Sequence, residues 1–243
     1  MKKIISIFAI LAMSMALLTA CGSSGKVLAF NLLSDDTYEV SISVDPLLVK
    51  GKVNIPSQYK GKAVTRIAHN AFKDCKNLSA ITIPETINHV GADAFRNTGI
   101  WNESKADSVI YLGNWVIGYK GDRNTLTSLS IEPGTIGIAA NAFPDQDVLE
   151  SVSIPDSVTT IGGRAFANCD SLKSVIIPAS VTVMEYAAFS VPYPYYGEES
   201  EAELMILIYV RASSKPAGWA DNWVIDDHPH REDAFTVVWG YQG

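Results

Sequence analysis

LESVSIPDSVTTIGGRAFANC, residues 149–169, is one complete unit of a pattern that returns along most of the chain. Its most conspicuous piece, Ala165-Phe166, recurs as Ala71-Phe72, Ala94-Phe95, Ala142-Phe143 and Ala188-Phe189. Successive Phe spacings are 23, 48, 23 and 23 residues, and 48 is 23 with an excess of 25. The register extends to both sides of the dipeptide. Five residues before each Phe stand Ile67, Val90, Ile138, Ile161 and Met184, all apolar. Eight before stand Val64, Ile87, Thr135, Val158 and Val181. After the first, third and fourth Phe come Leu78, Leu149 and Leu172, then Ile81, Val152 and Val175, then Ile83, Ile154 and Ile177, each of the last three followed by Pro. A fixed period of this length marks a solenoid, in which each turn leaves a hydrophobic face for the next to cover.

Segments such as 149–169 resemble the BspA-like leucine-rich repeat, over about Val53 to Phe189. The resemblance implies a right-handed β-rich solenoid of about five 23-residue turns, with one short strand per turn in a main sheet, a second extended stretch, and a compact turn around Ala-Phe. Elementary energetics agrees. One turn alone buries too little apolar surface to offset the entropy of ordering its backbone, whereas stacked turns share their faces and add inter-turn hydrogen bonds. The Pro after each strand has no N–H to continue the ladder, so it turns the corner.

The N-terminus carries a second signal. Lys2 and Lys3 precede the apolar run Ile4 to Leu18, which is short for a membrane span and reads as the core of a signal peptide. Leu18-Thr19-Ala20-Cys21 matches the bacterial lipobox. That resemblance implies cleavage after residue 20, a diacylglyceryl group on the Cys21 sulfur, and residues 21–26 as a tether. Several acyl chains would anchor the protein stably where one would be marginal. The expected localisation is therefore extracytoplasmic, on the bacterial cell envelope.

Both open ends of a stack need covering. Residues 27–50, with Ser34-Asp35-Asp36 as a turn between apolar strands, are expected to cover the first turn of a repeat region spanning 51–203. Residues 204–243 are expected to cover the last, with Trp219, Trp223 and Trp239 over its face. The excess falls at about 97–125. There Ser108 to Leu112 and Trp115 to Lys120 flank Gly113-Asn114, which signals a β-hairpin projecting from the solenoid or laid along its edge. Such insertions often carry function, and they also serve as plain structural extensions.

Composition narrows the function. Apolar residues make up 47% of the 243, enough for a continuous core. Removing Lys2 and Lys3 with the leader leaves 17 basic and 26 acidic side chains, a net −9 with His neutral. A chain so charged gains no counterion release from nucleic acid, which is excluded as a partner.

Catalytic chemistry finds little purchase. Cys75 and Cys169 both stand three residues after a repeat Phe, with Thr98 and Gln146 in the intervening slots. Three rungs at about 4.8 Å separate them by roughly 14 Å, twice the Cα span a disulfide allows, so they are expected as free buried thiols. The run 226–233, Asp-Asp-His-Pro-His-Arg-Glu-Asp, and the acidic run 198–203 are dense in possible ligands, but both read as solvated loops. His69 and His89 fall in different repeat slots. No phosphate loop, nucleophile elbow, metalloprotease helix or dinucleotide fingerprint is present, and nothing implies a cofactor or a resident metal.

Two surfaces remain as candidate binding sites. In the main sheet the outward positions form columns of small uncharged side chains, Ala80, Ser128, Ser151 and Ser174 beside Thr82, Ser130, Ser153 and Ile176. A loop rich in aromatics carries Tyr193, Tyr195 and Tyr196, which suit protein or sugar recognition. The expectation is a lipid-anchored cell-surface binding module, adhesion-like through its resemblance, whose partner is a protein or a matrix or glycan ligand. A structural or assembly role within the cell envelope is the alternative, and an envelope hydrolase acting on glycans is the third reading.

Overall fold

A computed structural model describes residues 27–191, 206–226 and 235–243. The periodic positions turn inward as the sequence requires. Phe72, Phe95, Phe143, Phe166 and Phe189 are all buried, as are Ile67, Val90, Ile138, Ile161 and Met184. Thr135 occupies an otherwise apolar column and is buried too, its hydroxyl satisfied by donating to the Glu132 carbonyl at 2.8 Å. The rings stack in register. Phe72 lies 5.5 Å from Phe95, Phe143 5.4 Å from Phe166, and Phe166 5.2 Å from Phe189, each pair within 13° of parallel.

Seven strands mark the turns: Lys50–Asn54, Asn77–Thr82, Ser128–Ser130, Ser151–Ser153, Ser174–Ile177, Ile206–Val210 and Phe235–Trp239. The stack thus has about seven turns instead of five. The Ala-Phe count falls short because the sixth turn carries Asn222-Trp223 in place of the dipeptide. Trp223 meets Phe189 edge-on at 6.4 Å, and Val224–Asp226 pairs in parallel with Phe189–Val191. Trp219, Trp223 and Trp239 cluster at this end with centroids 4.9 to 6.5 Å apart. At the opposite end Leu28–Leu32 pairs antiparallel with Tyr38–Ile42, which in turn pairs in parallel with Lys62–Ile67.

Three corners after the main strand are closed the same way. The carbonyls of Pro84, Pro155 and Pro178 accept from the amides of Ile87, Val158 and Val181. The compact turn around Ala-Phe is built from paired left-handed residues. Asn70, Asp93, Asn141, Arg164 and Ala187, two before each Phe, have φ between 50° and 56°. Asp74, Asn97, Asp145 and Asn168, two after, have φ between 55° and 63°. Asn and Asp tolerate this region better than other side chains, which explains their recurrence here.

The seven main strands do not form one sheet. The first two pair with each other, and the other five form a separate parallel sheet. The division coincides with the insertion. Ser108–Leu112 and Trp115–Lys120 do form an antiparallel hairpin, with Gly113 at φ +56° in its turn. The hairpin is built into the stack. Trp115 and Val116 pair in parallel with Gly137 and Ile138, adding two strands to the sheet formed by the second extended stretches. Gly137 permits this: a Cβ there would sit 2.4 Å from the Trp115 ring. Ahead of the hairpin, the short helix Gly99–Glu103 is capped by Thr98, whose hydroxyl accepts from the Trp101 amide.

Candidate binding surfaces

The main sheet presents two outward columns. One runs Lys52, Ala80, then across the division Ser128, Ser151, Ser174, Leu207 and Thr236. Beside it, Asn54 pairs with Thr82 and Ser130 with Ser153, and Ile176 pairs in turn with Tyr209 and Val238. Ser128, Ser130, Ser151 and Ser153 are exposed and Ser174 is half-buried. Ile176 and Val238 keep 36% and 37% of their surface exposed, and Tyr209 packs on Tyr241 at 4.6 Å. From Ser128 to Val238 the columns contain no charged side chain, on a chain whose formal charge is −7. The face therefore grades from hydroxyls in the middle to apolar and aromatic groups at the C-terminal end. The serine part is legible in the sequence. Its apolar continuation was hidden because Leu207, Tyr209 and Val238 lie outside the Ala-Phe register; their alternation with buried Ile206, Ile208 and Val210 was the available signal.

The remaining expected positions divide into those the structure places and those it does not. Cys21, Tyr193, Tyr195 and Tyr196 lie outside the described residues, as do the acidic run 198–203 and residues 227–233. Cys75 and Cys169 are free and buried. Burial pushes their thiols up to about 11 and about 12, and the Cys169 Sγ donates to the Phe143 carbonyl at 3.3 Å. Thiols so protonated are poor nucleophiles. Among the described residues no group of three or more His, Cys, Asp or Glu is placed to hold a metal ion, and no helix is long and apolar enough to cross a membrane.

His89 has a partner that sequence spacing could not reveal. Its Nδ1 meets Glu185 Oε1, 96 residues away, and the other Glu185 oxygen accepts from the Gly163 amide at 2.9 Å. Burial raises the Glu185 pKa, but the bond and charge of His89, the Gly163 amide and Arg66 outweigh it and hold the carboxyl below its ordinary value. This group clasps the second, fourth and fifth turns.

Stacked parallel rungs, an inward Phe row and one main-sheet strand per turn define a leucine-rich-repeat solenoid. The family described as BspA type leucine rich repeat region matches residues 51–121 and 119–193, in six copies. The chain belongs to this family. No curated protein matches the chain. Among solved structures it is similar to a leucine-rich repeat protein from Bacteroides ovatus, at 23% identity over 79% of this chain and 56% of that one, with a TM-score of 0.30. It is also similar to the Treponema pallidum leucine rich repeat protein, at 22% over 68% and 75% with a TM-score of 0.32. A third is a leucine rich cell surface protein from Faecalibacterium prausnitzii, at 14% over 80% and 71% with a TM-score of 0.27. The chain spans little more than half the length of the B. ovatus protein.

Proposed function

We propose that this protein is a lipid-anchored binding module of the bacterial cell surface, docking another protein on the outward face of its main sheet. The uncharged strip from Ser128 to Val238 carries the reading. Interface centres are depleted in charge and enriched in aromatic and apolar groups, as at the strip's C-terminal end around Ile176, Tyr209 and Val238. A rigid stacked face needs little reordering to bind, so contact area converts efficiently to affinity. Tethering at Cys21 would array many copies on one surface and add multivalency.

A photo-reactive side chain at Ser151 on intact cells is expected to trap a discrete partner, while the same group at exposed Thr182, just ahead of the second-sheet strand Val183–Met184, traps none. Equal trapping at both positions, or none at Ser151, removes the sheet-face reading. The trapped partner's source separates adhesion to host or matrix from assembly within the cell's own envelope. Anchoring is tested apart from binding: cells fed an alkyne fatty acid should label the wild-type protein and not C21A. Absence of label on the wild type defeats the anchor.

A further inference from the structure

The strongest unexplained feature is the junction between the second and third turns. Elsewhere, amides two before, at and two after each Phe donate to the next turn: Asn70, Phe72 and Asp74 to Ala92, Ala94 and Arg96, and Asn141, Phe143 and Asp145 to Gly163, Ala165 and Ala167. The amides of Asp93, Phe95 and Asn97 make no such bond. A side-chain ladder stops at the same place. Asn97 donates to Asp74 at 2.6 Å and Asn168 to Asp145 at 2.7 Å, but no bond joins Asn97 to Asp145. Phe95 and Phe143 likewise do not stack. Trp101 enters the junction instead, with Arg96 over its ring at 4.8 Å and Gly118 so close to its edge that a Cβ would lie 2.8 Å away.

Two adjoining recesses open there, of about 580 and 310 Å³. Both fall near the range of roughly 300–1,000 Å³ usual for small-ligand sites. They share Asp93, Arg96, Trp101, Asn141 and Pro144. The three polar groups on this shared wall keep hydrogen-bonding capacity to spare, although the Arg96 guanidinium rests on the Trp101 ring. Arg96 and Asn141 make no side-chain hydrogen bond or ion pair, and Asp93 has only a 3.9 Å contact with Lys73. In the smaller recess, Gln146 is 6% exposed, spends its Nε2 on the Pro144 carbonyl, and leaves Oε1 unpartnered. Formal charge cancels: Lys73, Arg96 and Arg123 stand against Asp74, Asp93 and Asp145.

We infer that this junction is a binding site for a neutral glycan segment of a few sugar units. A balanced wall attracts neither a polyanion nor a polycation, which disfavours phosphate esters and charged peptides. Guanidinium, carboxylate and amide groups each present two polar atoms in one plane, a match for neighbouring hydroxyls. Tyr119 and Pro144 offer apolar edges for the C–H faces of a sugar ring. Neither recess is lined mainly by apolar side chains of the kind that anchor a peptide residue. The inference stands independently of the sheet face, since it uses a different surface and a different ligand.

Titration calorimetry of the purified protein with maltotetraose, cellotetraose and N-acetylchitotetraose tests it, with a charged peptide of similar size as comparator. At least one oligosaccharide should bind, and R96A and N141D should each weaken it about tenfold, the usual consequence of losing a charged or paired hydrogen bond. N141D keeps a residue that accepts the left-handed backbone, so it guards against misfolding, and S151R on the distant sheet face should leave sugar affinity unchanged. Binding by none of the three sugars, unchanged affinity in both R96A and N141D, or tighter binding of the peptide overturns the proposal.

Discussion

The run from Phe143 to Phe189 and the junction between Phe95 and Phe143 are made of the same repeat, yet they behave oppositely. In the run the amides two before, at and two after Phe143 and Phe166 bond one rung on, the rings stack, and Asn168 reaches back to Asp145. At the junction the hairpin extends the second sheet of the later turns through Trp115 and Val116, but that sheet, the main sheet and the Phe row all stay divided from the earlier turns. Core packing follows the same line: one apolar cluster reaches from Val116 to Trp223, the other from Leu28 to Ala139. A solenoid is therefore only as continuous as its neighbour contacts. Where they lapse, polar groups otherwise consumed by the ladder become available to solvent or ligand.

The contrast can be broken first at its rings. Phe166 stacks on both neighbours and Phe95 on one, so F166A should cost about 3–5 kcal/mol in urea unfolding and F95A distinctly less. Equal losses would mean that stacking continuity does not govern stability. G137A, forcing a methyl into the Trp115 ring, should cost about 1–3 kcal/mol and speed amide exchange at Ala139, whose N–H bonds to Val116, more than at Phe166.

The His89–Glu185 clasp bridges the two regions and should be worth about 1–2 kcal/mol, read as the loss in E185Q. Because Glu185 has a depressed pKa when folded, its stabilising contribution is full above the unfolded value near 4.5 and disappears as pH falls through the lower folded value. Melting temperature in the wild type should thus drop more steeply below pH 4.5 than in E185Q. Parallel acid profiles would remove the clasp's role. The smallest effect lies in the turns. R164N places a better left-handed residue at φ 56° and should stabilise by up to about 1 kcal/mol. A destabilised R164N would show that Arg164 is held there by something other than backbone geometry.

Much of the architecture was legible because period-23 burial is a local signal repeated many times. Ile67 through Met184 and Phe72 through Phe189 could be placed inward from spacing alone, and the hairpin at Ser108–Lys120 from its Gly-Asn turn. The sixth and seventh turns were not legible, because Asn222-Trp223 breaks the dipeptide and the spacing from Phe189 is stretched. The serine columns were visible as period-two positions, but the junction was not. Asp93, Arg96 and Trp101 follow the second main strand and Asn141 the third, and they acquire meaning only once the insertion shapes the space between them. The one sequence trace was the recurrence of Asn or Asp two residues from each of the first four Phe, which marks the turn lining that wall. His89 and Glu185 share no repeat slot, so only three-dimensional stacking could pair them.

Parallel in-register rungs also make the molecule a ruler. The recess and the aromatic end near Tyr209 are separated by whole turns, each adding about 4.8 Å. Gain or loss of one 23-residue unit between Phe143 and Phe189 would move these two features apart or together by one such step, leaving the chemistry at either end untouched. Genetic change in this interval can tune the distance between two contacts in fixed increments, as teeth on a rack, without redesigning either contact.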